Sequence, residues 1–309
     1  MCADEKHASE ASVGCAAIPV RSREATTAKI NVRLRILRKK VAAGLDRLGV
    51  WPTLYAFWLR AGRSMHHRRS LRFYSQFVRP GNLVFDVGAN LGDRTQLFLE
   101  LGAKVVAIEP NPACTQELQR RFGGNSNVIV VESGVADQVG TAQLAICEES
   151  PAISTLSDKW KSASRHSKRN KWSKTCTINL TTLDLLIECH GRPVFCKIDV
   201  EGFEEQVLKG LTQPIPCISF EFLLEFMGDT QRCIDRLCRM GRSEFNYSRG
   251  ESMKLAHNDW MSSEVLSKAL EIDMADADLW GDVYVRFYAP LRPQQPQPPA
   301  LGRPQAASS

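Results

Sequence analysis

The sequence has no C-x-x-C pair, no apolar run approaching the ~18 residues of a membrane-spanning helix, and no basic, apolar leader at its start. Each lack excludes something. The closest cysteines, Cys233 and Cys238, have no histidines at zinc spacing, so zinc ribbons and fingers are out. The adjacent His66 and His67 have no second cluster to complete a site, and no metal is expected from the sequence. Acids stand near the start where a secretion leader needs positive charge, and a cytoplasmic location is the expectation. The ten cysteines then read as reduced thiols, with Cys147, Cys189, Cys196 and Cys217 in or beside apolar, strand-like segments where burial is expected. Basic charge is also missing from most of the chain. The net +6 is concentrated in residues 21–72, with fourteen Lys or Arg against Glu24 and Asp46, and in residues 159–174, with seven and no acid. The remainder is net acidic, which argues against a folded body built to bind nucleic acid, and no such partner is expected.

Residues 1–27 are small and polar without periodicity, which predicts disorder. From Lys29 apolar residues recur at helical spacing (Ile30, Leu34, Leu37, Val41, Leu45), and Pro52 suits the first turn of a second helix. A third helix is expected over 66–78, stopped by Pro80-Gly81. With its arginines and its aromatics Trp51, Tyr55, Phe57 and Trp58, the 29–58 segment has two readings: peripheral contact with an anionic membrane, or helices covering the following domain. After residue 80 short apolar strands alternate with helices, the rhythm of a parallel sheet. Strands are expected at 83–87, 104–108, 128–131, 194–198 and 218–222, helices between them, and an antiparallel edge pair in SEFNYS and VYVRFYA. TAQLAIC and TCTINL read as further strands beside the basic insert, and the Pro/Gln-rich residues 290–309 as a disordered tail.

Three strand ends carry chemistry. In VFDVGANLGD a buried strand reaches Asp86 and turns through Gly88-Ala89-Asn90-Leu91-Gly92 into a helix. Gly88 lets backbone approach a ligand, and Asn90 tolerates left-handed dihedrals. The spacing D-x-G-x-N-x-G differs from the G-x-G-x-x-G of a pyrophosphate site. S-adenosylmethionine has no phosphate, and its ammonium favours a nearby carboxylate such as Asp86. About twenty residues on, Glu109 ends the second strand, where an acid can accept both ribose hydroxyls. The alternative for either acid alone is a helix cap or solvated turn. With Gly92, Thr95 and Ser133 these residues form the expected cofactor-binding set. Finally, FCKIDVEGFEEQVLKGL sets Asp199 and Glu201 just past a strand's carboxyl end, where ligands of open α/β sheets bind. A carboxylate there can take a proton from an attacking hydroxyl or hold it in line. Asp199 is the first choice and Glu201 the second, and Asp199 with a neighbouring acid has the chemistry to hold Mg²⁺.

At FDVGANLGDRT, AIEPNP, the TLD of residues 182–184 and KIDVEGFE, the chain resembles the FkbM family of S-adenosylmethionine-dependent methyltransferases over roughly residues 80–289. The resemblance implies an α/β, Rossmann-like class I methyltransferase fold: a mostly parallel seven-stranded sheet with helices on both faces. Residues 28–79 would be an N-terminal helical extension. It implies O-methylation of a sugar, glycan or polyketide-like hydroxyl, with Asp86, Gly88, Asn90 and Glu109 holding the cofactor and Asp199 and Glu201 lining the reaction site. Methylation of an amine or a nucleic-acid base, and a non-catalytic cofactor-binding module, are the alternatives. The basic insert 159–174 has two readings: a lid whose Lys168, Arg169 and Lys171 recruit an anionic acceptor, or a solvated surface loop.

Overall fold

The computed structural model describes residues 64–147, 149–150, 153–167 and 170–288. The chain divides into two units, Met1–Met65 and His66–Ser309, and the described residues fall almost wholly in the second. The expected disordered ends 1–27 and 290–309, the 29–58 segment, and Lys168 and Arg169 lie outside the described residues.

Seven strands form the main sheet: β1 (Leu83–Val87), β2 (Lys104–Ile108), β3 (Val128–Val131), β7 (Phe195–Ile198), β8 (Cys217–Leu223), β9 (Ser243–Arg249) and β10 (Trp280–Phe287). Their order is β3-β2-β1-β7-β8-β10-β9. The first five are mutually parallel, and β10 runs antiparallel to both β8 and β9. Parallel strands covered on both faces are apolar on both faces, and β7 (FCKI) is buried at all four positions, its lysine included. The last strand thus enters between two earlier ones, and β9 alone forms that edge. Main-sheet order reverses between β1 and β7, the switch point at which open α/β sheets place ligands beyond their carboxyl ends.

Local signals explain the helices. Helix α1 (66–74 within this unit) lays Phe73 and Tyr74 on the sheet, and Phe77 just beyond it stacks between Phe195 and Tyr284, each ring 5.3 Å away. Helix α2 (Asp93–Glu100) follows Gly92 in the left-handed region, and α3 (Pro112–Phe122) is capped by Asn111, whose side chain accepts from Ala113 N. With α1 these cover one face. The other face is covered by α5 (Leu183–His190, capped by Thr182), α6 (Glu204–Lys209), α7 (Met227–Met240) and α8 (Ser263–Asp273). Fully buried residues such as Leu208, Ile218 and Phe220 each contribute about 2–3 kcal/mol of burial there. Helix α8, capped by Ser262, is an element the sequence pattern does not announce.

A second sheet, β4 (Gly134–Val135), β6 (Lys174–Thr181) and β5 (Gly140–Ile146) in that order, holds the two strands expected beside the insert. The insert between β5 and β6 differs from a solvated loop. It contains α4 (Asp158–Ala163), and its Trp160 is 1% exposed, packed with Leu223 and Phe226. Its cations find acids on the net-acidic body: Lys159 bonds Asp229, and Arg165 bonds Glu225. Of the eight described cysteines, none is disulfide-bonded and five are buried. Cys189, expected beside an apolar strand and buried, is exposed on α5, because that stretch is an amphipathic helix with its outer face in water. Among the described residues no helix is long and apolar enough to cross a membrane.

Candidate active site

The loop after β1 is shaped by three residues in the left-handed region: Gly88 (φ 81°), Asn90 (φ 49°) and Gly92 (φ 85°). Gly88 N and Ala89 N both donate to Ile108 O, which ties the loop to the end of β2. A Cβ built on Gly88 would stand 1.8 Å from the backbone oxygen of Asp199, so two strand ends meet there with no room for a side chain. Gly92 serves packing, since its missing Cβ makes room for Leu118 and Phe122 of α3.

Glu109 ends β2 and is 7% exposed. Its Oε2 accepts from Asn90 N and its Oε1 from Asn111 N, both at 2.8 Å. The carboxylate is therefore clamped by backbone, with its remaining lone pairs free for a ligand. Burial pushes its pKa up to about 7 against the pull of those two bonds. Glu109, Asn90, Gly88 and Ser133 line one cleft together with Asp199 and Glu201. Ser133 itself donates to Gly134 O and Asn179 O. Asp86 and Thr95 lie beneath the loop instead: Thr95 Oγ1 donates to Asp86 Oδ2 at 2.6 Å, and both side chains are buried. Neither lines the cleft. A second opening, across the 88–90 loop, is lined by Arg94, Lys197, Asp199, Glu201 and Glu251, so an extended ligand crossing the loop has room on both sides.

The segment after β7 brings Asp199 and Glu201 together as its spacing predicts, along with groups the sequence reading did not assign. Lys197, 2% exposed, donates to Asp199 Oδ2 at 2.5 Å. Burial opposes the charge on Lys197, yet Asp199 and then Asp282 outweigh it and hold its pKa above the usual lysine range. Glu201 sits at φ 55°, and its carbonyl accepts from Thr155 Oγ1 of the insert at 2.7 Å. Burial first, and then the charges of Asp199 and Glu204, push its carboxyl well above the ordinary range. Glu221, from β8, is the third member, also pushed well up by burial and by the neighbouring acids. Carboxylate atoms of Asp199, Glu201 and Glu221 lie within 4.8 Å of one another, close enough among the described residues to hold a cation. Of the basic trio expected to greet an acceptor, Lys171 is exposed and the other two lie outside the described residues. Signals for the unassigned groups existed: a lysine inside an otherwise apolar strand, and an acid breaking the apolar run SFEFLL.

Glu204 shapes the loop from below, its Oε1 accepting from Val200 N and Gly202 N at 3.2 Å. Burial pushes its carboxyl up to about 7. Between the ordinary value of 4.5 and about 7 the folded chain keeps a proton that the unfolded chain has released, so this group's contribution falls as pH rises through that window. Glu204→Gln keeps the acceptor and removes the titration. The stability of this variant relative to the parent is expected to grow by about 2 kcal/mol from pH 5.5 to pH 8. Denaturant unfolding at the two pH values checks this, and a constant difference contradicts it.

A single reversed strand, β10, set between β8 and the edge strand β9, a glycine-turned loop after β1, an acid following β2 and acids past β7 define the Rossmann-like class I methyltransferase fold. Residues 86–243 match the family described as the methyltransferase FkbM domain, and the chain belongs to that family. Relatives include the hexuronic acid methyltransferase AglP of Haloferax volcanii, 26% identical over 48% of this chain and 58% of its own length. Another is the methyltransferase sdnD of Sordaria araneosa, 30% identical over 43% of this chain and 62% of its own length. The matches thus span less than two thirds of either relative. Among solved structures, a putative methyltransferase from Streptococcus mutans in complex with SAH is 9% identical over 70% of this chain and 94% of its own, with a TM-score of 0.34. A precorrin-6y C5,15-methyltransferase from Geobacter metallireducens is 9% identical over 72% and 87%, with a TM-score of 0.38.

The cofactor of this class is S-adenosylmethionine, and the donor set fits it: a clamped carboxylate for a ribose diol in a cleft bounded by the glycine turn. Glu109→Ala is expected to weaken binding of S-adenosylhomocysteine by about 100-fold, as charge-assisted bonds to two hydroxyls and the anchor of Asn90 N are lost together. Isothermal titration reads this directly; an unchanged affinity would put the ribose elsewhere.

Proposed function

We propose that this chain transfers the methyl group of S-adenosylmethionine to a hydroxyl oxygen of a sugar-like or polyketide-like small molecule. The observation that carries this reading is the convergence of Asp199, Glu201 and Glu221 at the edge of the cofactor cleft. When bound, the cofactor supplies an electrophilic methyl on a sulfonium that departs as a neutral thioether. As the acceptor oxygen bonds to that carbon and the carbon–sulfur bond breaks, the hydroxyl proton passes to a carboxylate. Asp199 is our choice for this role, a reading supported by its ion pair with Lys197, which Glu201 does not share. Glu201, with its raised pKa, is suited to a neutral, hydrogen-bonding role. The rest of the task is alignment, which the clamped Glu109 and the close contact of Gly88 with Asp199 serve.

The same cluster disfavours other acceptors. A carboxylate in this cluster stabilises the ammonium form of an amine, which has no lone pair to attack with. The naming of one relative for hexuronic acid adds support for a sugar-derived acceptor. Transfer of tritiated methyl from S-adenosylmethionine to methyl glycosides of hexoses and hexuronic acids tests the reading. Label in alkali-stable ethers is the expected result. Alkali-labile esters, or label only in amines, would overturn it.

A further inference from the structure

Beside the cofactor cleft lies another cavity, of about 340 Å³, between the insert, the 202–206 segment, the end of β8 and α7. The two share Leu156 and Phe203 as a common wall. Four aromatic rings stand in the wall of this second cavity, Trp160, Phe203, Phe222 and Phe226, with Trp160 and Phe226 tilted at 34° and 5.7 Å apart. Trp160 is seated hard on that segment, since a Cβ on Gly202 would approach its Cε3 to 2.8 Å.

Two of the residues lining this cavity each carry a buried polar atom without a partner. Trp160 Nε1 and Glu221 Oε2 are both fully buried atoms without a hydrogen bond, and Trp160 as a whole is 1% exposed. One is a donor and the other a carboxylate acceptor, and buried groups of either kind left unmade are costly in a native fold. A ligand hydroxyl can satisfy both kinds, accepting from an indole N–H and donating to a carboxylate. Flat aromatic walls suit the apolar face of a saturated ring. The cations at the rim are already neutralised, Lys159 by Asp229 and Arg232 by Glu205 and Asp229, so nothing there selects an anionic ligand. Glu221 is also the link to the chemistry, because its carboxylate lies within 4.8 Å of those of Asp199 and Glu201, which line the cofactor cleft.

We propose that this cavity is the acceptor site, that it takes a neutral ring bearing several hydroxyls, and that Trp160 and Glu221 select which hydroxyl faces the methyl group. The inference rests on the hydroxyl-acceptor reading above and adds where the acceptor sits and what recognises it. It also gives the insert a role: α4 brings Trp160 to the site, and Thr155 ties the same insert to Glu201.

The test uses the full chain saturated with S-adenosylhomocysteine, labelled with ¹⁵N in its indoles, and titrated with neutral methyl hexopyranosides. Trp160→Phe identifies the Trp160 cross-peak by its loss. That peak is expected to move saturably with at least one glycoside, and not in Glu221→Gln. In turnover, KM for that glycoside should rise about tenfold in each variant while S-adenosylhomocysteine affinity stays within about twofold. If glycosides accept methyl groups but the peak stays still and both variants keep the parent KM, the site is wrong and the hydroxyl reading stands. If no glycoside binds or is methylated, the proposed ligand class fails and the site falls with it. Should either variant fail to bind S-adenosylhomocysteine, the cross-peak of the parent chain decides alone.

Discussion

Asp199→Asn is expected to lower the methyl-transfer rate constant by about 10²–10⁴-fold, with affinity for S-adenosylhomocysteine changed only a few-fold. The asparagine has nearly the shape of the aspartate and keeps one oxygen for Lys197, but it cannot take up a proton at neutral pH. Lys197 is 2% exposed and its ammonium would then face only Asp282 as a strong opposing charge, so some loss of stability accompanies the kinetic effect. Single-turnover rates at saturating cofactor separate the two, since an unfolded fraction lowers amplitude and not the rate constant. Glu201→Gln sets the scale. Its carboxyl is already pushed well above the ordinary range, so the substitution resembles its resting neutral form and should cost less than Asp199→Asn. A rate constant within threefold of the parent in Asp199→Asn, with a large loss in Glu201→Gln, would exchange the two roles.

Gly88→Ala should abolish measurable cofactor binding and lower the melting temperature by about 10 °C. The added methyl would stand 1.8 Å from Asp199 O and 2.8 Å from its carbonyl carbon, and both neighbours are backbone at the end of a central strand. Backbone cannot rotate away as a long side chain can. The φ of 81° adds strain for any residue with a Cβ. Together these amount to about 3–4 kcal/mol in a unit this size. To give way, the loop must leave Ile108 O, and with it the position of Asn90 over Glu109. Gly81→Ala is the control: it has a similar φ of 80° and nothing within 4 Å of the added carbon, so it reports strain without the collision. Equal losses in the two variants would show that dihedral strain alone, and not the contact with Asp199, explains the effect.

Much of the architecture was legible because the signals are local. Strands β1, β2 and β7 announce themselves as short apolar runs ended by Asp86, Glu109 and Asp199, and Asn111 and Thr182 cap the helices they precede. The glycine turn, the acid after β2 and the acids after β7 were readable for the same reason: each is a strand end carrying a polar group. Three things were not readable that way. Helix α8 leaves Val265 and Ile272 in water beside its buried Leu266 and Leu270, so its apolar residues form no single clean stripe, and which of them are buried comes from the layer it joins. The insert reads as a solvated loop or a lid because seven of its sixteen residues are cations with no acid among them, whereas the acids that neutralise Lys159 and Arg165 lie some sixty to seventy residues away. Asp86 looked like a cofactor contact because it ends a strand, but the chain turns above it and leaves it bonded to Thr95.

By itself the sequence determined the alternation of strands and helices, the left-handed turn through Gly88 and Asn90, and the family to which the chain belongs, since all of these depend on residues a few places apart. Only the tertiary structure decided which groups share a site. Glu221 beside Glu201 needs β8 to lie next to β7, and Trp160 on Gly202 needs the insert to fold back over the sheet. Those placements follow from strand order and layer packing, which depend on burying the whole chain at once and leave no mark in any short stretch of it.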